Sequence, residues 1–350
     1  MSVLALADPP TASVADLGAA RFLLDRLGVS PSDLLAAESL REDVPTFAGY
    51  VPVVAAATPP SSASTWMPYW RVLVEQWGDR RITEPTASEL RTLANWVQQR
   101  AATRPGNRGG VGAKSTFIAA VRTLYRYAAD DKYLAAAQNP AAALRKPRQP
   151  RSPRRALSPS QLIQINHVAA TTGTDPALDT LLLRLHTETA CRRAGALALR
   201  PCDLDHEDCT VRLREKSGNT REQPVSRTLL NGLVAHSVHR NPSGGDHDQL
   251  LRYRDGRPVT STHYTALWRR LGRHLPWLKH LGVTAHWIRY TTLTWVERNF
   301  GYGLAAGYAG HTVGGNTGST LTYVPATLGE IATALSALVG EPHPLASHDS

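Results

Sequence analysis

A histidine, an arginine, a second histidine and a tyrosine lie near the C-terminus. They are His286 and Arg289 in the segment HWIR, His311 in AGH, and Tyr323 in TLTYV. A tyrosine hydroxyl ionises near pKa ~10, so forming the phenolate at neutral pH costs about 3 to 4 kcal/mol. A neighbouring histidine can take that proton during nucleophilic attack. These residue types therefore suggest attack of a phenol on a phosphodiester.

His286 and Arg289 are three apart on a predicted helix at residues 286–299, so they share one face. A guanidinium group offers fixed, bidentate hydrogen bonds to the charge that develops on phosphorus. Taken singly, each residue has a structural alternative. A lone His286 is usually a surface or structural histidine, and Tyr323 could instead anchor the C-terminal helix by packing.

The composition is that of a soluble globular chain long enough for two domains, with 350 residues, 42% apolar and 19% charged. The net charge of +10 favours a polyanionic partner. Three cysteines without paired CxxC spacing indicate neither a disulfide framework nor a structural metal. We expect no cofactor, no secretory signal and no membrane span, and we place the protein in a reducing cytoplasm.

The N-terminal part is predicted to be an arm followed by a small helical bundle. Residues 1–60 form the arm and linker, with one helix at 13–27 and a linker or buried strand at 50–57. Residues 61–144 form the bundle, in which Trp66, Trp70, Leu73 and Trp77 recur on one helical face. Such a stripe is more often core than binding surface.

Two groups of basic residues are candidates for binding a phosphate backbone. One lies at a Gly-rich loop of the bundle, for which a merely solvated loop is the alternative. The other is the linker RKPRQPRSPRR at 145–155, which has three prolines and no acid and cannot fold alone. The loop group is Arg100, Arg104, Arg108 and Lys114; the linker group is Arg145, Lys146, Arg148, Arg151, Arg154 and Arg155.

Residues 156–340 are predicted to be a second domain, mostly helical, with a tail at 341–350. Ser158, Pro159 and Gln161 form a helix-start signal. Helices are expected at 161–170, 175–188, 260–275, 286–299 and 328–339. The alternating segment CTVRLREKSGNTREQPVS, with a turn at 217–219, predicts a β-hairpin. The fold class is therefore mainly α with a small β-sheet (α+β).

Several motifs, in this order, make residues 61–340 resemble the tyrosine recombinase (phage integrase) family, with the bundle similar to its core-binding domain. TACRRAGALALRPCDLD is similar to the family's first arginine box, and KSGNTREQPV to its lysine hairpin. HWIR, AGH and TLTYV are similar to its remaining boxes. The resemblance assigns the catalytic residues to Arg192, Lys216, His286, Arg289, His311 and Tyr323.

The same resemblance gives each residue a role. Arg192 and Arg289 would bind the non-bridging oxygens of the phosphate, and His286 would take the proton of Tyr323. Lys216 would protonate the leaving 5′ oxygen, and His311 would donate a hydrogen bond. Other histidines, among them His236, His239 and His247, are interpreted as surface residues.

The sequence departs from the family pattern at three places. The family commonly has an acidic residue three positions after the first arginine, where this chain has Gly195, so support for the site must come from elsewhere. Tyr290 stands where a histidine usually follows HxxR. The segment from His311 to Tyr323 is longer than usual and rich in glycine, which predicts a flexible tether.

The resemblance implies a site-specific DNA recombinase, similar to an integrase of a mobile element, acting through a 3′-phosphotyrosyl intermediate. Its partners would be double-stranded DNA, three further copies in a homotetramer on two DNA sites, and possible accessory DNA-bending proteins, in the cytoplasm with the nucleoid. The helix at 328–339 would dock onto a neighbouring copy. The alternatives are a type IB topoisomerase or telomere resolvase of the same chemistry, and a catalytically impaired DNA-binding protein.

Overall fold

The structure, a computed structural model, describes residues 13–31, 44–103, 108–148, 155–215, 218, 220–310 and 325–346. Contacts along the chain divide it into two units, residues 1–151 and 152–350. The division lies inside the segment 145–155 that the sequence assigns to a basic linker. In the described parts of the chain no helix is long and apolar enough to cross a membrane.

The first unit is all-helical in its described residues. Its helices are α1 Val14–Leu27, α2 Phe47–Ala57, α3 Pro60–Trp77, α4 Ala87–Ala102 and α5 Val111–Asp130. Helix α4 begins at the capping box of Thr86 and Glu89. The tryptophan stripe of α3 packs inward: Trp70 is fully buried and donates to the Ala120 carbonyl at 3.0 Å. The prediction that this stripe is core is confirmed.

The prediction that residues 50–57 are a linker or buried strand is wrong. They belong to helix α2, which buries Phe47, Tyr50, Val51 and Val54 in the core of the bundle. These residues recur at helical spacing, and their burial offsets the backbone hydrogen bond lost at Pro52. Helix α1, by contrast, buries no residue.

The second unit is mostly helical with one three-stranded sheet. Its helices are α6 Pro159–Thr171, α7 Pro176–Thr189, α8 Arg193–Leu197, α9 Arg227–Arg240, α10 Ser261–His274, α11 Pro276–Leu281, α12 Ala285–Phe300, α13 Tyr302–Tyr308 and α14 Leu328–Val339. The Ser158–Gln161 capping box starts α6. The α+β prediction is confirmed, although helices α8, α9, α11 and α13 were not predicted.

The sheet is antiparallel, in the order β1 Leu204–Asp205, β2 Thr210–Arg214 and β3 Thr220–Pro224. Strands β2 and β3 form the predicted hairpin, with Leu213 opposite Arg221 and Arg214 opposite Thr220. Val211 and Leu213 turn inward to the main core of the unit. The hairpin therefore holds Glu215, which directly follows β2, at one end of a strand pair fixed by the core.

The C-terminal helix and the residues after it pack on their own unit. Ile331 and Leu335 of α14 join Val296 and Tyr308 in a second apolar cluster. Within the chain, the apolar face of α14 covers these side chains. Docking of this helix onto a neighbouring copy stays a prediction. Beyond it, His343 is buried and its Nε2 lies 3.0 Å from the Cys209 carbonyl. The predicted tail is thus packed as far as residue 346.

Candidate active site

Three side chains converge on the C-terminal end of helix α7. The last carbonyls of a helix have no partner within it, and they carry its negative dipole end. Here the helix stops at Ala190, which adopts a left-handed φ of 47°. Side chains from three other elements supply the missing donors. The Tyr308 hydroxyl donates to the backbone carbonyl of Glu188, and the Arg221 guanidinium donates to that of Thr189 at 2.9 Å. The Arg289 guanidinium donates to the backbone carbonyl of Ala190.

A single carboxylate faces three arginines beside this helix end. The Glu215 side chain is only 3% exposed and forms an ion pair with Arg192. Its other oxygen lies 3.5 Å from Arg221 and 3.9 Å from Arg289. One negative charge thus meets three positive ones, which leaves a surplus of positive charge suited to an anion.

Arg289, which is buried, and Arg221, which is partly buried, remain cationic at neutral pH. Burial, reinforced by the charges of Arg192 and Arg221, lowers the pKa of Arg289 to about 10. Burial also lowers the pKa of Arg221 to about 10. A bound phosphate would relieve the repulsion that contributes to these shifts.

A cleft of about 580 Å³ opens above the cluster. Arg192 reaches it from the start of α8, while His286 and Arg289 reach it from the first turns of α12. The Arg192 side chain is 41% exposed, whereas that of Arg289 is 5% exposed. Helix α10 contributes Tyr264 and Trp268 to the cleft. An anion entering the cleft would therefore meet Arg192 first, with Arg289 forming part of its floor.

The structure brings together three of the six predicted catalytic residues, namely Arg192, His286 and Arg289. Lys216, His311 and Tyr323, and with them the predicted glycine-rich tether, lie outside the described residues. The residues directly before Lys216 and His311 are described. Glu215, directly before Lys216, is in the arginine cluster. Gly310, directly before His311, packs against the Arg221 side chain.

The sequence analysis missed Glu215 and Arg221. The missing acid at Gly195 was the available signal, because it required a carboxylate from another part of the chain. Tyr290, the second departure, is 40% exposed on α12 one turn after His286. Its side chain is therefore not enclosed with the buried arginines.

Among the candidate DNA-binding cations whose side chains the structure describes, Lys114 is half-buried and the others are exposed. Arg100 lies 5.2 Å from the ring centre of Trp96, and Lys114 donates to Asn95 at 2.7 Å. Arg145, Lys146, Arg148 and Arg155 are exposed. The side chains of Arg104, Arg108, Arg151 and Arg154 lie outside the described residues.

The interpretation of His236 as a surface residue is wrong. It is buried on α9, and its Nε2 accepts a hydrogen bond from the Arg252 amide at 3.2 Å. Burial, with the charge of Arg240, lowers the pKa of His236 to about 4. The apolar residues Leu229, Leu230 and Leu233 make α9 a core helix, which brings His236 inside. His239 and His247 are exposed.

Solved structures with a similar fold are DNA-bound recombination proteins. A lambda integrase dimer bound to a COC′ core site has a TM-score of 0.61 and 15% identity, covering 87% of this chain and 84% of that one. The Tn1549 transposon integrase with a circular intermediate DNA has a TM-score of 0.57 and 13% identity, covering 87% and 96%. XerH site-specific recombinase on palindromic difH has a TM-score of 0.57 and 14% identity, covering 79% and 76%. At these identities the likeness shows the fold.

Among proteins with curated functions, none matches this chain in sequence. The model of the phage integrase family matches residues 155–320. This range contains the arginine cluster, Lys216 and His311, and it ends three residues before Tyr323. Residues 155–320 therefore form a domain that matches the phage integrase family.

Proposed function

We propose that this protein is a site-specific DNA recombinase that cuts and rejoins DNA through a transient 3′-phosphotyrosyl intermediate. The observation that carries the proposal is the cluster of Arg192 and Arg289 on Glu215, beside His286, in a phage integrase domain. Fixed guanidinium groups at the end of a helix, in surplus over their carboxylate, suit a phosphate whose charge grows during reaction.

In the proposed reaction the phenol oxygen of Tyr323 attacks the scissile phosphorus. The bond from phosphorus to the 5′ oxygen breaks, and the DNA 3′ end becomes joined to the tyrosine. His286 takes the phenolic proton, and Lys216 gives a proton to the leaving 5′ oxygen. Arg192 and Arg289, with a hydrogen bond from His311, hold the non-bridging oxygens. Rejoining is the reverse attack by a 5′ hydroxyl, so the phosphodiester energy is kept.

The proposed partner is double-stranded DNA, bound by the exposed cations of the bundle and linker through its phosphates. A lambda integrase tetramer bound to a Holliday junction shares this fold, with a TM-score of 0.60. We extend that assembly to this chain as a homotetramer acting on two DNA sites. Accessory DNA-bending proteins and location at the nucleoid belong to the same proposal.

A trapping experiment tests the chemistry. Nicked duplexes that tile the DNA flanking the gene are incubated with the full chain, and products are separated under denaturing conditions. Loss of the short fragment beyond a nick prevents rejoining, so a covalent protein–DNA adduct should accumulate on one tile. A 5′ label on the cut strand should stay with the protein, because the 3′ end is the one attached.

Tyr323→Phe keeps the ring and removes only the hydroxyl, so it should bind the same tile and give no adduct. Binding by the wild type without an adduct on any tile would leave only a DNA-binding protein. On the site so found, two-site exchange of markers distinguishes a recombinase from an enzyme that only relaxes supercoils.

A further inference from the structure

The proposed reaction gives the Glu215 carboxylate no role, although Arg192, Arg221 and Arg289 all face it. We infer that Glu215 is a positioning residue that holds Arg192 and Arg289 in the relative placement needed to bind one phosphate. The inference rests on the proposed function for its chemistry. It makes the hairpin, and not helix α8, the source of the acid that supports the first arginine.

The two oxygens of Glu215 do different things. Oε2 forms the ion pair with Arg192, whose side chain is otherwise 41% exposed. Oε1 accepts no hydrogen bond, and it faces Arg221 at 3.5 Å and Arg289 at 3.9 Å. The carboxylate therefore fixes the exposed arginine by direct pairing, and it acts on the buried arginines through charge alone.

Arg289 is held in place by other groups. It donates to the carbonyls of Ala190 and Ala309, which fixes its guanidinium against two chain segments. Arg192 has no such pair of carbonyls among its described contacts, and it depends on Glu215. Losing the carboxylate would therefore free Arg192 and leave three cations repelling one another, of which Arg289 is buried and Arg221 is partly buried.

The shape of the site explains why the acid comes from the hairpin. A Cβ built on Gly195 would lie 3.6 Å from the Glu215 Cγ and 3.5 Å from the Arg214 carbonyl. A methyl group fits there, but a longer side chain at 195 would enter the space that Glu215 fills. Glycine at 195 and glutamate at 215 are thus complementary, and a glutamate at 195 could replace a truncated Glu215.

The first test measures single-turnover cleavage on the trapping duplex together with DNA affinity. Glu215→Gln keeps the size and removes the charge, and we expect cleavage about 100-fold slower, the scale of a small misplacement of reacting groups. Binding should change by less than about 3-fold, because one arginine contributes only part of the phosphate contacts. Glu222→Gln on β3, whose side chain is 47% exposed, is the matched control and should be silent.

Rescue separates positioning from general stability. Glu215→Ala should cleave as slowly as Glu215→Gln or more slowly, and adding Gly195→Glu should restore at least about 10-fold of the rate, a typical range for a supporting residue. Cleavage is expressed per active molecule, counted by the final amount of adduct. A Glu215 variant that loses only thermal stability and active fraction, with an unchanged rate constant, would show a structural role and overturn the inference.

A second measurement needs no catalysis. In protein labelled with ¹⁵N-arginine, pairing with Glu215 should slow rotation of the Arg192 guanidinium and give resolved Nη signals, assigned with Arg192→Lys. Those signals should merge in Glu215→Gln and persist in Glu222→Gln. Unchanged Arg192 signals in Glu215→Gln would overturn the inference even if the wild type forms no adduct. Absence of a wild-type adduct, by contrast, counts against the proposed function.

Discussion

Replacing Gly310 with alanine should displace Arg221 and destabilise the protein, although Gly310 itself has no side chain that could take part in catalysis. Gly310 has a φ of +65°, and a Cβ there would overlap the side chain of Arg221. The left-handed backbone costs an alanine about 1 to 2 kcal/mol. Moving Arg221 also breaks its hydrogen bond to the buried Thr189 carbonyl, which costs about 1 to 3 kcal/mol. We expect Gly310→Ala to lower the free energy of unfolding by about 2 to 5 kcal/mol in total.

Gly282 provides a matched control in the same unit. Its φ is also +65°, but nothing lies within 4 Å of a Cβ built there. Gly282→Ala should therefore cost only the backbone part, about 1 to 2 kcal/mol. The difference between the two variants measures the displacement of Arg221.

A double-mutant cycle isolates that displacement. In an Arg221→Ala background the overlap is absent, so Gly310→Ala should cost no more than Gly282→Ala, and the coupling should be about 1 to 3 kcal/mol. Stability is read from urea dependence of hydrogen exchange at amides of α12 in the full chain. Coupling below about 0.5 kcal/mol, or equal costs at the two glycines, would refute the role given to Arg221.

Two further predictions concern His236 and the N-terminal helices. Because the pKa of buried His236 is about 4, below its unfolded value, its contribution to stability is complete above pH ~6.5. The free energy of unfolding should fall by up to about 3 kcal/mol as the pH falls from 6.5 toward 4. In urea unfolding curves, His236→Gln should reduce this pH dependence. Removing residues 1–30 should leave the thermal unfolding of the bundle unchanged, since α1 buries nothing. Removing residues 1–58 should abolish the cooperative thermal transition of the bundle, because its core then lacks Phe47 and Tyr50. A shortened bundle that still unfolds cooperatively would contradict this.

Local signals in the sequence predicted much of the fold. Ser158 with Gln161 starts a helix by hydrogen bonds within four residues, and the alternation around 209–226 specifies a hairpin. The spacing of His286 and Arg289 brings both into one cleft. Helix α2 was missed because Pro52 signals a break locally, while the burial that outweighs it comes from helices elsewhere in the bundle.

The residue whose carboxylate pairs with Arg192 could not be predicted from the neighbouring sequence, because a carboxylate can reach the same point from different parts of the chain. In this protein the acid is on the hairpin residue next to Lys216, and the position on α8 is a glycine. A departure at one motif position is therefore weak evidence for a lost activity when the missing charge can be supplied in space. In the sequence alone, Gly195 and Tyr290 were the two departures behind the alternative of a catalytically impaired protein, although an active enzyme was expected. With the Glu215 side chain buried beside it, Gly195 instead indicates a site in which a different residue supplies the carboxylate that pairs with Arg192.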